Sequence, residues 1–481
     1  MVGLTVSGLE GEKRSSATLS ANWRAPRNPL SQQSRKIARI LLGLIVVAVM
    51  FNLAVGMGES PAWADGAFPD AQAVLLPRDR PRQTILASTF GLIVSEDDGA
   101  TWAYACENEA TKNGALYVVG PPPADRIFAK SDRGAVVSEN DGCAWSVGAG
   151  ALANAVVTDV FPDPTDGEHV LAIAIPGPPE ASLAAVFSSR DGGKTYAPST
   201  FSAPSGVSIT GVEVAASDPL TVYMTLDGRL GTLDPMLVRS VDGGQTWTTR
   251  DLQAALGPVT PRLMAVDPAD ANRLYLRLIS APSATLPFEG IAMTTDGGVN
   301  WTQPLLVAGG AIAGFVRLPS GVLLAAGTTT GGEPAMFRST DNGLTFATSR
   351  PALHPFGLAQ RDGVVYVATK DVADGFALAT SADGGLTFRG RMKLADVSAI
   401  RSCVKMACQS DCAFLAGLKL FPAGTCQADP TSPVPKTGGG GCACALNAGS
   451  AVARYPNIRG LTAFGLLLAT VVWVRRRRSR S

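Results

Sequence analysis

The stretch Ser240-Val241-Asp242-Gly243-Gly244-Gln245-Thr246-Trp247 recurs six more times with the same skeleton, and its spacing decides the fold. The other copies occupy residues 95–102 (SEDDGATW), 138–145 (SENDGCAW), 189–196 (SRDGGKTY), 294–301 (TTDGGVNW), 339–346 (STDNGLTF) and 381–388 (SADGGLTF). Each reads Ser or Thr, any residue, Asp, any residue, Gly, any residue, Thr, aromatic. The third positions, Asp97, Asn140, Asp191, Asp242, Asp296, Asp341 and Asp383, follow one another at intervals of 42 to 54 residues. That period is one four-stranded propeller blade per repeat.

Between the boxes the chain parses into short apolar runs bounded by turn residues. In the fifth repeat these are 262–266, 273–279, 290–294 and 301–307, and in the second 115–119, 126–130, 134–138 and 144–147. Three repeats carry an Asp-Pro turn near the first two runs, Asp163-Pro164, Asp218-Pro219 and Asp267-Pro268. Proline presets φ there and the carboxylate can accept from the turn backbone. The expected fold is all-β, a seven-bladed propeller of four-stranded antiparallel blades over 65–396. No blade is split between the two ends, and residues 397–401 are expected to add an edge strand to the first or the last blade.

The box is expected at the hairpin between the third and fourth strands, where Asp accepts backbone N–H groups and Gly supplies positive φ. The closing aromatics, Trp102, Trp145, Tyr196, Trp247, Trp301, Phe346 and Phe388, are expected to pack between blades. Two copies depart from the pattern, with Asn140 and Ala144 in the second and Asn300 in the fifth. Asn140 keeps an acceptor oxygen, so its box should still form.

This pattern resembles the Asp-box, or BNR, repeat of sialidases and related β-propellers. The resemblance implies a structural role for the boxes, away from any catalytic face. It also brings the requirements of sialidase chemistry: three arginines for a carboxylate, a Tyr/Glu nucleophile pair and an Asp acid. The Arg-Ile-Pro signature of that family is missing, and its nearest match, Arg126-Ile127-Phe128, reads as a strand. Tyr223, Tyr275 and Tyr366 fall in second strands and read as core. A carboxylate pair for inverting or retaining hydrolysis, as in xyloglucan-cleaving relatives that carry Asp boxes, leaves Asp159, Glu213 and Asp362 as candidates. Asp362-Gly363 also reads as a plain hairpin turn.

Other chemistries find little support. His169 and His354 are the only histidines, which excludes a multi-His metal site and gives a Ser-His-Asp triad little choice of base. No Walker loop or dinucleotide fingerprint is present. No cofactor and no metal is expected.

Net charge is +1, but 7 Lys/Arg against 3 Asp/Glu lie in residues 1–64, and 7 against none in 451–481. The intervening chain is therefore acidic, which argues against nucleic acid as a partner. At the N-terminus Arg35, Lys36 and Arg39 precede an apolar run at 40–55, and Ala62-Trp63-Ala64 follows. This reads as a signal peptide, residues 1–64, with a long polar n-region and signal peptidase cleavage after Ala64.

At the other end a glycine run leads into Cys442-Ala443-Cys444, followed by an apolar run at 461–474 and arginines at 475–478. That order resembles the MYXO-CTERM sorting tail of myxobacterial surface proteins. It implies a linker with sorting motif at 427–457, a membrane helix and Arg-rich tail at 458–481, a sorting protease acting near Cys442 or Cys444, and display at the outer membrane or cell surface. A plain C-terminal anchor is the alternative.

Eight cysteines in an exported chain argue for disulfides. Cys106, at the end of blade one, and Cys143, in the box of blade two, suggest a staple between neighbouring blades. Cys403, Cys408, Cys412 and Cys426 form a cluster at 397–426 with three possible pairings. The segment bears a faint similarity to the Cys-rich module that follows the sortilin propeller. The functional expectation is a surface-anchored binding or assembly scaffold for a protein or polysaccharide ligand. A glycoside hydrolase, sialidase-like or β-glucan-cleaving, is the alternative. A further similarity, to the seven-bladed Asp-box assembly factor of photosystem II, implies a chaperone role.

Overall fold

Each repeat closes into one antiparallel sheet, and seven such sheets form the ring. The computed structural model describes residues 70–426 except 109, 112–115, 124, 132, 154, 176–183, 205, 229–233 and 282–283. The expected signal peptide with Ala64, the linker and sorting motif with Cys442 and Cys444, and the tail lie outside the described residues. Among the described residues no helix is long and apolar enough to cross a membrane.

The first strand of each blade is the innermost. These strands are Ala71–Leu75, Leu116–Val119, Val156–Pro162, Ser208–Val214, Val259–Asp267, Ala311–Arg317 and Leu358–Arg361, and neighbouring ones approach each other around the axis. The second and third strands carry near-continuous apolar runs because blades cover both of their faces. Thr84–Ser88 and Gly91–Ser95 in blade 1 are buried at every position. The core consequently sits between blades, as where Leu171, Ile173 and Val186 of blade 3 meet Val212, Val222 and Met224 of blade 4.

The boxes occupy the expected hairpins. In the fourth, Asp242 Oδ1 accepts from the Thr246 amide at 2.9 Å and from Ser240 Oγ at 2.7 Å, while Oδ2 accepts from Thr246 Oγ1 at 2.5 Å. Ser240 Oγ also accepts from Gly244 N–H at 2.8 Å. Asn140 preserves the backbone part of this pattern, accepting from Ala144 N–H at 2.8 Å, and Asn300 Nδ2 replaces the threonine hydroxyl by donating to Asp296 Oδ2 at 2.8 Å.

The fourth box position, which the sequence pattern leaves free, is constrained as well. Its φ is 62° at Asp98, 56° at Asp141, 57° at Asn342 and 69–72° at Gly192, Gly243, Gly297 and Gly384. Gly, Asp and Asn are the residues that enter this region most easily.

Five of the seven innermost strands carry a bulge. Register shifts between Ala71 and Ala73, Val157 and Asp159, Ile209 and Gly211, Leu263 and Ala265, and Ile312 and Gly314. Two blades gain a fifth strand, parallel to their outermost one. Ala149–Gly150 runs along Thr195–Tyr196 of blade 3, and Val397–Ile400 runs along Trp102–Tyr104 of blade 1.

The ring closes between blades 7 and 1 without splitting a four-stranded blade, while the strand Val397–Ile400 from beyond blade 7 adds to the outer edge of blade 1. Gly357 lies so close to blade 1 that a Cβ there would stand 2.4 Å from the Gln72 carbonyl oxygen. The Arg361 guanidinium donates to the carbonyls of Pro77, Pro81 and Gln83 at 2.6–2.9 Å. One apolar cluster joins Trp102 and Tyr104 of blade 1 to Leu378 and Met392 of blade 7 and to Leu415 and Phe421 of the segment that follows.

The disulfides correct the expected pairing. Cys106 is bonded to Cys408 and Cys143 to Cys403, while only Cys412–Cys426 lies within the C-terminal cluster. There is no Cys106–Cys143 staple. The fifth strand on blade 1 carries the chain to the outer edge of blades 1 and 2, where the 397–426 segment takes both cysteines as partners. The helix Gln409–Gly417 buries Cys412 and Leu415 against this edge, and Phe421 packs edge-on to Tyr104 at 5.1 Å.

Candidate functional site

The repeated polar residues are committed to the scaffold, which leaves the ends of the innermost strands around the axis. Strand direction sets the two ends of the ring. Each innermost strand runs towards the end that carries the boxes, because the loop after the first strand and the loop after the third emerge on the same side.

At that end a cavity of about 270 Å³ opens among five blades and is lined by Val118, Phe161, Pro162, Pro164, Glu213 and Pro268, with Arg78 of blade 1 also on its wall. Val119, Gly120, Pro121, Val214, Ala216 and Val266 complete it. Proline supplies rigid apolar surface without an N–H. Two of the four lining prolines, Pro164 and Pro268, belong to the Asp-Pro turns. Those turns are fixed from within: Asp163 Oδ1 accepts from Thr165 N–H at 2.8 Å, and Asp267 Oδ1 from Ala269 N–H at 2.9 Å.

Glu213 is the penultimate residue of its strand. Val212 and Val214 on either side are buried between blades, so alternation turns Glu213 to the opposite face. Its Oε1 accepts from the Val266 amide of blade 5 at 3.0 Å. Depth within the ring pushes its carboxyl up to about 8, with the nearby Asp159 carboxylate adding to the rise and the Val266 bond opposing it. Glu213 is therefore mostly un-ionised at neutral pH, an O–H donor beside an accepting oxygen.

Asp159 follows the bulge of blade 3. The bulge inserts Thr158, leaving Thr158 and Asp159 together off the buried faces between Val157 and Val160. Burial raises the Asp159 pKa, while the Val160 amide, Arg262 and Lys130 act against the rise.

Asp159 and Glu213 lie on neighbouring innermost strands, and the Asp159 carboxylate adds to the rise at Glu213. Asp362 does not join them. It lies in blade 7 at an exposed hairpin tip, with φ 52° followed by Gly363 at 81°, so it is a turn residue. Asp159 itself is not part of the cavity wall.

The residues weighed for sialidase chemistry have structural tasks. Tyr223 and Tyr275 are buried core side chains, and Tyr223 donates to the Ala271 carbonyl at 2.9 Å. Arg126 joins blades 2 and 3 through Glu139, Glu168 and the Gly167 carbonyl. His169 is spoken for by Asp163 at 2.9 Å, and His354 by Asp374 at 2.7 Å. Among the described residues no cluster of three His, Cys, Asp or Glu could hold a metal ion. Sequence reasoning missed Arg78 and the prolines of the cavity, although two of those prolines stand in the Asp-Pro turns it noted.

No protein-family model matches the chain, and no curated protein matches it in sequence. Solved structures do resemble it. The GH74 xyloglucanase from Xanthomonas campestris is 17% identical over 69% of this chain and 65% of its own, with a TM-score of 0.34. YCF48 from Cyanidioschyzon merolae is 12% identical over 64% of this chain and 95% of its own, with a TM-score of 0.42. A puromycin-hydrolyzing peptidase of Mycobacterium tuberculosis is 13% identical over 69% of this chain and 56% of its own, with a TM-score of 0.46. The chain thus spans less than two thirds of the xyloglucanase and little more than half of the peptidase.

Proposed function

We propose that this protein is an exported, surface-anchored propeller that binds a protein or glycan ligand and serves as a binding or assembly scaffold. The observation that carries this reading is the composition of the axial cavity. Its walls are apolar and rich in proline, and the one carboxyl among its lining residues is held un-ionised. Two-carboxylate hydrolysis requires an acid and an ionised partner facing the same space. The cavity is built instead to enclose a group and hold it. Three disulfides fit an oxidising compartment, in keeping with the signal peptide and sorting tail read from the sequence.

The electrostatic contact between Glu213 and Asp159 favours a second reading, a glycoside hydrolase that uses this pair. Incubation of the purified protein with sialyl-lactose and with xyloglucan or other β-glucan oligosaccharides separates the two. The scaffold reading expects no product. Turnover that disappears in both Glu213→Gln and Asp159→Asn would establish the hydrolase. For the anchor, Cys442→Ala should leave an unprocessed, membrane-retained precursor; normal processing and surface display of that variant would sink the sorting assignment.

A further inference from the structure

Three features of the cavity at the box end of the axis point to one chemical class of ligand. The first is size: about 270 Å³ exceeds the roughly 150 Å³ that accommodates benzene in an apolar interior, yet lies at the lower edge of small-molecule pockets, about 300–1,000 Å³. A single aromatic or branched side chain with its backbone fits that range.

The second is the wall, where Val118, Phe161, Pro162, Pro164 and Pro268 offer apolar surface. The third is the pair of polar groups. Arg78 lines the cavity as an exposed guanidinium, and among the described residues no hydrogen bond or ion pair engages it. The Glu213 carboxyl keeps one oxygen beyond the Val266 bond. Arg78 reaches the cavity from blade 1 and Glu213 from blade 4, so the two groups can serve separate ends of what binds.

We propose that this cavity holds the free carboxylate end of an apolar residue, with Arg78 pairing to the carboxylate, Glu213 bonding to the neighbouring amide carbonyl, and Phe161 and the prolines enclosing the side chain. This deepens the scaffold reading by naming the chemistry of its ligand, and rests on it. An arginine suits a planar carboxylate through paired N–H donors. An ionised acid in the Glu213 position would repel the ligand's oxygens, whereas the protonated acid donates to a carbonyl. The same chemistry has two sources, a small N-acylated amino acid or the C-terminus of a polypeptide.

Calorimetric titration of the full chain at pH 6.5 tests the assignment with four probes: N-acetyl-phenylalanine, its amide, an N-acetylated hexapeptide ending in phenylalanine, and that peptide amidated. Saturable binding of either free acid at one site, weakened about tenfold or more in its amide and in Arg78→Ala, is the expected result. Binding of the small acid alone identifies a free metabolite as the source, and binding of the peptide identifies a chain terminus.

Glu213→Gln keeps a donor and should retain the affinity at pH 6.5. It should also retain it at pH 9, where the wild-type carboxyl ionises and binding falls. The groups facing Glu213 in that titration are Asp159 of blade 3, itself opposed by Lys130 and Arg262, and Arg78 across the cavity. Equal affinity for acid and amide, unchanged affinity in Arg78→Ala, or no binding of any probe overturns the proposal. Those outcomes leave the scaffold reading standing, since that reading fails on oligosaccharide turnover.

Discussion

At Ser240 one hydroxyl group does three things: it donates to Asp242 Oδ1 at 2.7 Å and accepts the amides of Asp242 and Gly244 at 3.3 and 2.8 Å. The residue is buried, so Ser240→Ala leaves the Gly244 amide without its partner. A cost of about 1–3 kcal/mol is expected in denaturant-induced unfolding. Ser240→Thr should cost much less, because Thr294 fills the same place in the fifth box, accepting from Gly298 N–H at 3.1 Å. Equal losses for Ala and Thr would show that the hydroxyl is not the cause. At the next turn position Gly243 has φ 69° and open surroundings, a Cβ there meeting Leu220 only at 3.5 Å. Gly243→Asn should therefore be tolerated, and Gly243→Val should cost about 1–2 kcal/mol more, from backbone strain alone. A midpoint as low for Asn as for Val would place the penalty in packing. This part of the molecule was open to sequence reasoning because every partner lies within four residues. The constraint on position four is visible in the seven copies too, where only Gly, Asp or Asn occurs.

Among elements, the strand Val397–Ile400 and the helix Gln409–Gly417 set the geometry of the closing segment. The strand pairs with the outer edge of blade 1, and Thr425 Oγ1 returns to the Val397 carbonyl at 2.6 Å. Cys403 and Cys408 are thereby brought to Cys143 and Cys106, across 260 and 302 residues. Peptide mapping without reduction should recover Cys106–Cys408, Cys143–Cys403 and Cys412–Cys426. A Cys106–Cys143 peptide would refute this arrangement. Paired replacement of Cys143 and Cys403 by serine removes a cross-link over a long loop and should lower stability by about 2–5 kcal/mol. An unchanged unfolding midpoint would mean that the strand and its packing hold the segment without it. Spacing could propose the edge strand, since 397–401 follows the last blade directly. It could not propose the pairing, because no period links a cysteine in a box to one beyond the ring. The bulges that free Asp159 from its blade were equally invisible, as they follow from register and not from residue type.

For the whole molecule the two families of carboxyl groups pull stability in opposite directions with pH. The box aspartates Asp97, Asp191, Asp242, Asp296 and Asp341 are lowered to about 2, with Asp383 also lowered. For Asp242 the Thr246 hydroxyl acts first, then the Thr246 amide and Ser240. The unfolded chain takes up these protons near pH 3.8 and the native state only near 2. Their contribution is present above about pH 4 and is lost as pH falls through that window. Exposure to solvent keeps each contribution small, but six boxes act together. Glu213 behaves in the opposite sense: the unfolded chain releases its proton near 4.5, the native state near 8. Between these values the folded protein binds more protons, so raising the pH favours unfolding. Asp70, Asp159, Asp227 and Asp371, all raised chiefly by burial, add to that slope. The thermal midpoint should therefore peak near about pH 4–5 and decline on both sides. Glu213→Gln should flatten the alkaline side, stabilising the protein at pH 9 on the order of 3 kcal/mol while leaving the acid limb in place. A wild-type midpoint that rises from pH 5 to 8, or a Glu213→Gln variant that follows the wild type throughout, would mean that Glu213 is ionised in the folded ring, and the donor assigned to the axial cavity would be lost with it.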